Sequence, residues 1–192
     1  MNFIHPKTKY QTRTGKRLLN SVQCNDWRVG YLNQSDCLDN CGKVMVNFQK
    51  TYKVYINHTD AGGIVYHANH LVFFENCRRD WLTTLGYDGY FLSLDDDANK
   101  ESRKAVHFVV SHADITYHTP LLVDDELAVT VDEVRIRPAS LMIHQSIYRP
   151  NQNKPATTAT ITLACVINDK KTIRPHRLPK KFVQTLISAT AV

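Results

Sequence analysis

One long helical period set among strand periods constrains this chain more than any other feature. Between His67 and Gly86 the apolar residues Leu71, Phe74, Cys77, Trp81 and Leu85 recur at three- and four-residue steps, and Glu75, Asn76, Arg78, Arg79 and Asp80 occupy the other side. Gly86 is a helix stop. Before this helix, Gln49 to Ile56 alternates in the period of two that marks a strand. After it, Ala105 to Tyr117, Glu126 to Arg137, Ser140 to Tyr148 and Thr157 to Asn168 read as further strands. They are separated by the turn residues Thr119-Pro120, Asp124-Asp125, Arg137-Pro138 and Pro150 to Lys154. In the last of them Ala159, Ile161, Leu163, Cys165 and Ile167 face one way and Thr158, Thr160 and Thr162 the other, as in a half-buried antiparallel strand. Hairpin-length connections predict an α+β fold, a five-stranded antiparallel sheet with the helix packed on one face. Because Leu71 to Phe74 is apolar on every side, the first turn of the helix is expected to be buried all round.

Composition limits what surrounds that unit. With 192 residues and 43% hydrophobic content the chain can bury one core, so one domain with an appendage is expected. Residues 1–44 carry Lys7, Lys9, Arg13, Lys16 and Arg17 and no sustained apolar period, which predicts a loosely ordered arm. Met45 is a natural opening for a domain over 45–192, and the arm is then a mis-assigned start. Cys24, Cys37, Cys41, Cys77 and Cys165 are odd in number and irregular in spacing, so free thiols are expected, and neither a disulfide framework nor a zinc site. Asp95 to Asp97 reads as a solvated loop and not a cation site, and the remaining histidines lack ligand spacing. No apolar run approaches the ~20 residues that cross a bilayer, and no secretory signal opens the chain, which points to the cytoplasm. A net charge of +6 favours anionic partners, among them coenzyme A, but the strands show no aromatic and basic signature for nucleic acid.

Chemistry concentrates in Asn57-His-Thr-Asp-Ala-Gly-Gly-Ile-Val-Tyr-His-Ala-Asn-His70, between the first strand and the helix. Asp60 is followed by Gly62 and Gly63, which permit positive φ and close approach of backbone to a ligand. A helix start near His67 adds unpaired N–H groups and about half a positive charge, suited to an oxyanion or a phosphate. On residue type alone Asp60 fits a turn former as well as a catalyst, and His67 fits a helix-start residue as well as a catalytic ring.

The run Val54 to His67, followed by Asn69-His-Leu-Val-Phe-Phe-Glu-Asn-Cys-Arg-Arg-Asp-Trp-Leu82, resembles the 4-hydroxybenzoyl-CoA thioesterase branch of the hotdog superfamily. Within that branch it is most similar to the acyl-CoA thioesterases associated with the Tol-Pal system. The likeness continues through Ile115-Thr-Tyr-His-Thr-Pro120 and Arg174-Pro-His-Arg-Leu-Pro-Lys-Lys181. It implies a hotdog fold and hydrolysis of acyl-CoA without metal or redox cofactor, at a site formed between subunits of a homodimer or homotetramer. Acyl carrier protein is the other thiol carrier it allows. By position in the motif, Asp60 is the nucleophile or general base, and His67 polarises the thioester through its backbone N–H. Gly62, Gly63 and Tyr66 then contact substrate, and Arg174, Arg177 and Lys180 meet the phosphates of the coenzyme. Ile56 stands where relatives often carry Tyr, and His58 where many carry an acidic residue, so local charge departs from the family pattern. A non-catalytic hotdog that only binds acyl-CoA or acyl carrier protein is the alternative reading.

Overall fold

A computed structural model describes residues 42–92, 106–169 and 172–189. The chain divides into two units, Met1–Gly30 and Tyr31–Val192, and every described residue belongs to the second. The expectations about Cys24, Cys37, Cys41, Asp95 to Asp97 and most of the arm lie outside the described residues.

The elements follow in the order β1 (Lys43–Lys53), a single 3-10 turn (Ile56–His58), α1 (His67–Thr84), β2 (Phe91–Leu92), β3 (Val106–Tyr117), β4 (Glu126–Arg137), β5 (Ser140–Tyr148), β6 (Thr157–Asp169), β7 (Thr172–Pro175) and α2 (Lys180–Ser188). The strands form one antiparallel sheet in the order β1-β4-β5-β6-β3-β2. β7 pairs with the last residues of β6, continuing the lane in which β5 pairs with its first residues. This is the expected hotdog, with five long strands extended by the short β2 and β7 into a seven-stranded sheet.

Register shifts explain the curl. Extra residues interrupt pairing between Met45 and Phe48 in β1, at Asp132 in β4 and at Ser111 in β3. Each bulge bends its strand and increases local twist. In β4 the bulge also moves the inward set from Leu127, Val129 and Val131 to Val134 and Ile136, all buried. These side chains meet Leu141, Ile143 and Ile147 of β5 and Ile161, Leu163 and Cys165 of β6 in one core around α1.

Four readings need correction. The first strand ends at Lys53 and not at Ile56, because Val54 N–H donates to Asp125 O at 2.9 Å and the chain leaves β4 for the β3–β4 loop. On α1 the buried face is His70, Phe73, Phe74, Cys77, Arg78, Trp81 and Leu82, while Leu71 and Val72 are 37% and 46% exposed. Arg78, expected on the solvent side, is buried with Nη1 donating to Gln145 Oε1 at 2.7 Å and Nε to Tyr90 at 3.2 Å. A buried guanidinium persists because its donors are satisfied, and Gln145 in turn donates to Phe74 O. The C-terminal residues, to which the sequence assigns no strand or helix, form β7 and an amphipathic helix whose Phe182, Val183 and Leu186 are buried.

Candidate active site

The stretch that carries the motif is a tight loop closed on itself. Thr59 bridges Val65, Asp60 N–H donates to Ile64 O at 2.8 Å, and Gly63 N–H donates to Asp60 O at 3.1 Å. Gly63 sits at φ +75, a left-handed conformation that a side chain strains. The loop is strapped to the β3–β4 connection, with Val65 N–H donating to Leu121 O and Val123 N–H to Gly63 O. It is tied to α1 as well, since His58 O accepts from Tyr66 N–H and from Asn69 Nδ2 at 2.7 Å.

This frame fixes the Asp60 carboxylate. Oδ1 accepts from Gly62 N–H at 2.8 Å and Ile64 N–H at 3.4 Å, while the side chain as a whole remains exposed. Gly62 is required for that approach, since a Cβ there would stand 3.2 Å from Oδ1. One carboxylate oxygen is thereby oriented by the turn, and Oδ2 is left for substrate or water.

Beside it, α1 begins at His67 with Tyr66 as its N-cap, and no side chain caps the helix. Asn69 N–H reaches back to Tyr66 O at 2.8 Å, and the N–H groups of His67 and Ala68, ahead of it, come too early in the helix to have an intrahelical acceptor and carry the positive end of the helix dipole. The rings of Tyr66 and His67 lie 4.2 Å apart, both exposed. Tyr117, at the end of β3, donates its hydroxyl to His67 O at 3.1 Å and holds the first turn in place.

His70, one turn further, is buried, with Nδ1 2.9 Å from Thr157 Oγ1 and its ring edge-on to Tyr117 at 4.9 Å. Burial lowers its pKa to about 4, against the opposing pull of the Val65 backbone, so this histidine is neutral around pH 7. Elsewhere burial raises the thiols of Cys77 and Cys165 to about 12, which leaves both inert. Among the described residues no three His, Cys, Asp or Glu side chains converge as metal ligands would.

The structure brings Asp60, Gly62, Gly63, Tyr66 and His67 together at the N-terminal end of α1. It does not bring Arg174, Arg177 and Lys180 there. Arg174 pairs with Ile167, which pairs with Val106 at the start of β3, whereas the loop meets Tyr117 at its other end. Tyr117, Asn69 and His70 were not singled out for the site by sequence reasoning. All three lie inside the quoted motif segments, which is the one signal available for them.

A family model described as the Thioesterase-like superfamily matches residues 54–186. An acyl-CoA thioester hydrolase of Escherichia coli O6:H1, YbgC, is 30% identical over 136 residues, covering 71% of this chain and 92% of the relative. An acyl-CoA thioesterase of Haemophilus influenzae is 31% identical over 134 residues, 70% of this chain and 90% of that protein. Among solved structures, a probable thioesterase from Bartonella henselae superposes with a TM-score of 0.56 at 27% identity, covering 70% of this chain and 98% of its own. A Staphylococcus aureus protein solved in complex with CoA shares the fold at a TM-score of 0.59 and 15% identity, over 77% of this chain and 85% of its own.

Proposed function

Because this chain belongs to the thioesterase-like superfamily, we propose that it hydrolyses acyl-CoA thioesters to a free acid and coenzyme A at the Asp60 loop. The observation that carries this reading is a carboxylate pinned through one oxygen beside the uncapped N-terminus of α1. The thioester carbonyl points its oxygen at the N–H groups of the first turn, where the charge of a tetrahedral intermediate develops. Asp60 Oδ2 either takes a proton from the attacking water or attacks the carbonyl carbon itself, water then cleaving the acyl-aspartate. Either way the C–S bond breaks, the sulfur leaves as thiolate and is protonated, and the acyl group leaves as the acid. The exposed His67 ring is placed to orient water or the departing thiol. The acyl-CoA relatives favour coenzyme A over acyl carrier protein as the thiol carrier. Among the described residues no helix is long and apolar enough to cross a membrane, in keeping with the proposed cytoplasmic location.

A second copy completes the reading. β3 is bound by β6 on one side, but on the other only its start is covered, by β2 and by Tyr90 O accepting from Phe108 N–H. From Val109 to Tyr117 the outer edge is open among the described residues, and such an edge is a template for another strand. Val110 and Tyr117 on that edge, and Ile64 and Tyr66 beside it, are each more than 40% exposed, as 48%, 48%, 41% and 48%. An isologous dimer joined along β3 covers them.

The rival reading, a hotdog that binds acyl-CoA without cleaving it, draws on the same Asp60 geometry, since a turn former also accepts backbone N–H groups through Oδ1. Asp60→Asn separates the two. The amide keeps the turn but neither attacks a thioester nor accepts a proton. Thiol release should fall by about 10²–10⁴, with acyl-CoA binding by calorimetry and the melting temperature unchanged. Near-normal turnover in the variant, or none in the parent across short, long and aromatic acyl-CoAs, would favour the binder.

A further inference from the structure

His58 ends the 3-10 turn that carries the chain from β1 towards the Asp60 loop, and it binds three elements at once. Its Nδ1 accepts the N–H of Tyr55, just past β1, at 3.0 Å. Its carbonyl accepts Tyr66 N–H at 2.9 Å and Asn69 Nδ2 at 2.7 Å, both at the start of α1. Its half-buried ring stands edge-on to Phe73, one turn further along α1, with centroids 5.0 Å apart.

These contacts fix the state of the ring. A backbone N–H can only donate, so Nδ1 is bare, and the ring is neutral with its one proton on Nε2. A second proton, on Nδ1, would set two donors against each other. The bond closes the same turn in which His58 N–H donates to Tyr55 O at 2.9 Å. From there the chain runs through Thr59, which bridges Val65, to Asp60. The Asp60 carboxylate is held by N–H groups of its own loop, whereas the His58 carbonyl joins the entry of that loop to the helix start. The separation between the carboxylate and the first N–H groups of α1 is therefore set at His58.

The titratable and charged groups of the surrounding elements are Lys53 and Tyr55 beside the turn, Asp60 in the loop, Tyr66, His67 and His70 at the start of α1, and Asp124 in the β3–β4 loop. The Tyr55 ring lies 5.9 Å from the His58 ring, and Lys53 stands over its other neighbour space, 5.9 Å from the Tyr55 centroid and paired with Asp124 at 3.2 Å.

We propose that His58 is a positioning residue for hydrolysis. The neutral ring locks the exit of β1, the Asp60 loop and the start of α1 in one register, and protonation of Nδ1 opens the lock. This rests on the thioesterase reading and adds to it a built-in loss of turnover on acidification. A histidine ordinarily takes up its proton at higher pH than an aspartate does, so the loss precedes protonation of an ordinary carboxylate.

Two substitutions test this. His58→Gln places an uncharged acceptor at the third position of the turn, from which Gln reaches back to the N–H of the capping residue. His58→Leu removes the acceptor. At pH 7.5 His58→Gln should keep the parental kcat. His58→Leu should lose about tenfold in kcat with KM for acyl-CoA little changed, since a reacting group out of register leaves its near-attack geometry. Between pH 7.5 and 5 the parent should lose kcat while His58→Gln holds it; His70 is common to both, so the difference belongs to His58. Nitrogen NMR of the parent chain gives a readout independent of turnover, with His58 as the Nε2-protonated tautomer at pH 7.5 and a titration that matches the loss of kcat. Parental kcat in His58→Leu, the same acid loss in parent and His58→Gln, or a proton on Nδ1 at pH 7.5 would overturn the proposal. If His58→Leu does not fold, the pH profiles of the parent and His58→Gln decide alone. Absence of thiol release by the parent chain would instead sink the thioesterase reading, and the tautomer would still be read from the spectrum.

Discussion

The two ends of α1 are built on opposite principles. At the C-terminal end, Leu85 N–H reaches back to the carbonyls of Trp81 and Leu82, and Gly86 turns the chain at φ +85. Tyr87 and Phe108 then stack on Phe182 of α2, with centroids 4.9 and 5.4 Å away. At the N-terminal end no side chain caps the helix, the neighbouring Tyr66 and Ile64 are exposed, and the one oriented carboxylate faces outward. An orphan N–H group is a cost when left alone and a binding site when a ligand arrives. The closed end therefore supplies stability, and the open end is where the proposed chemistry takes place.

The largest effect expected from breaking this contrast is at the closed end. Phe182→Ala empties a ring that is 1% exposed and should cost about 3–5 kcal/mol of stability. Turnover per folded molecule should stay near the parental value, as read by denaturant titration and kcat on one preparation. A selective loss of kcat without loss of stability would mean that the ends are not separate.

Next in size is the buried histidine behind the open end. His70 has a folded pKa of about 4 against an ordinary 6.5, so the unfolded chain binds its proton first as pH falls. Its contribution is fully present above pH ~6.5, declines towards pH 4, and amounts to about 2–3 kcal/mol across that window. Denaturation curves between pH 7.5 and 4.5 should show this slope, and His70→Gln, which can still bond Thr157, should flatten it. An unchanged slope would show that other groups carry the acid sensitivity.

A smaller effect concerns the start of β1. Lys43 Nζ pairs with Glu133 Oε2 at 2.7 Å, and Val44 is buried opposite Val134. The proposed domain over 45–192 keeps the site but gives up both contacts. A chain starting at Met45 should retain kcat and lose about 2 kcal/mol relative to one starting at Gly42, mostly from the valine. Equal stability of the two would make the first two residues of β1 dispensable, and loss of activity would make the arm integral.

The long strands, α1 and the Asp60 loop were legible in the sequence because each carries a local signal: alternation, helical period, or paired glycines before a helix start. What was not legible depends on contacts distant in sequence. Arg78 reads as solvent-facing until Gln145 and Tyr90 are folded onto it. Leu71 and Val72 look like core in the sequence but stand exposed on α1, whose buried face runs through His70, Phe73, Phe74 and Cys77. The run around Arg174 gives no strand signal because its strand is four residues long and borrows its partner from β6. Tyr117 gives no local hint that its hydroxyl ends on a helix fifty residues away.

The finest test lies within the loop, where adjacent glycines have different reasons to be glycine. At Gly63 a side chain meets nothing within 4 Å, but φ is +75, so Gly63→Ala should cost about 1–2 kcal/mol of stability and little else. At Gly62 no positive φ is involved, and the added Cβ would stand 3.2 Å from Asp60 Oδ1, tighter than the exposed carboxylate needs to tolerate. The carboxylate can swing aside at small energetic cost, so Gly62→Ala should leave the melting temperature nearly unchanged. It should lower kcat, because a reacting group displaced by a fraction of an ångström leaves its near-attack geometry, and about tenfold is a reasonable size for such a shift. The pair thus splits stability from catalysis one residue apart. If Gly62→Ala keeps full kcat, the orientation of Asp60 Oδ1 by the turn has no part in the reaction, and the carboxylate works, if at all, from a position the loop does not set.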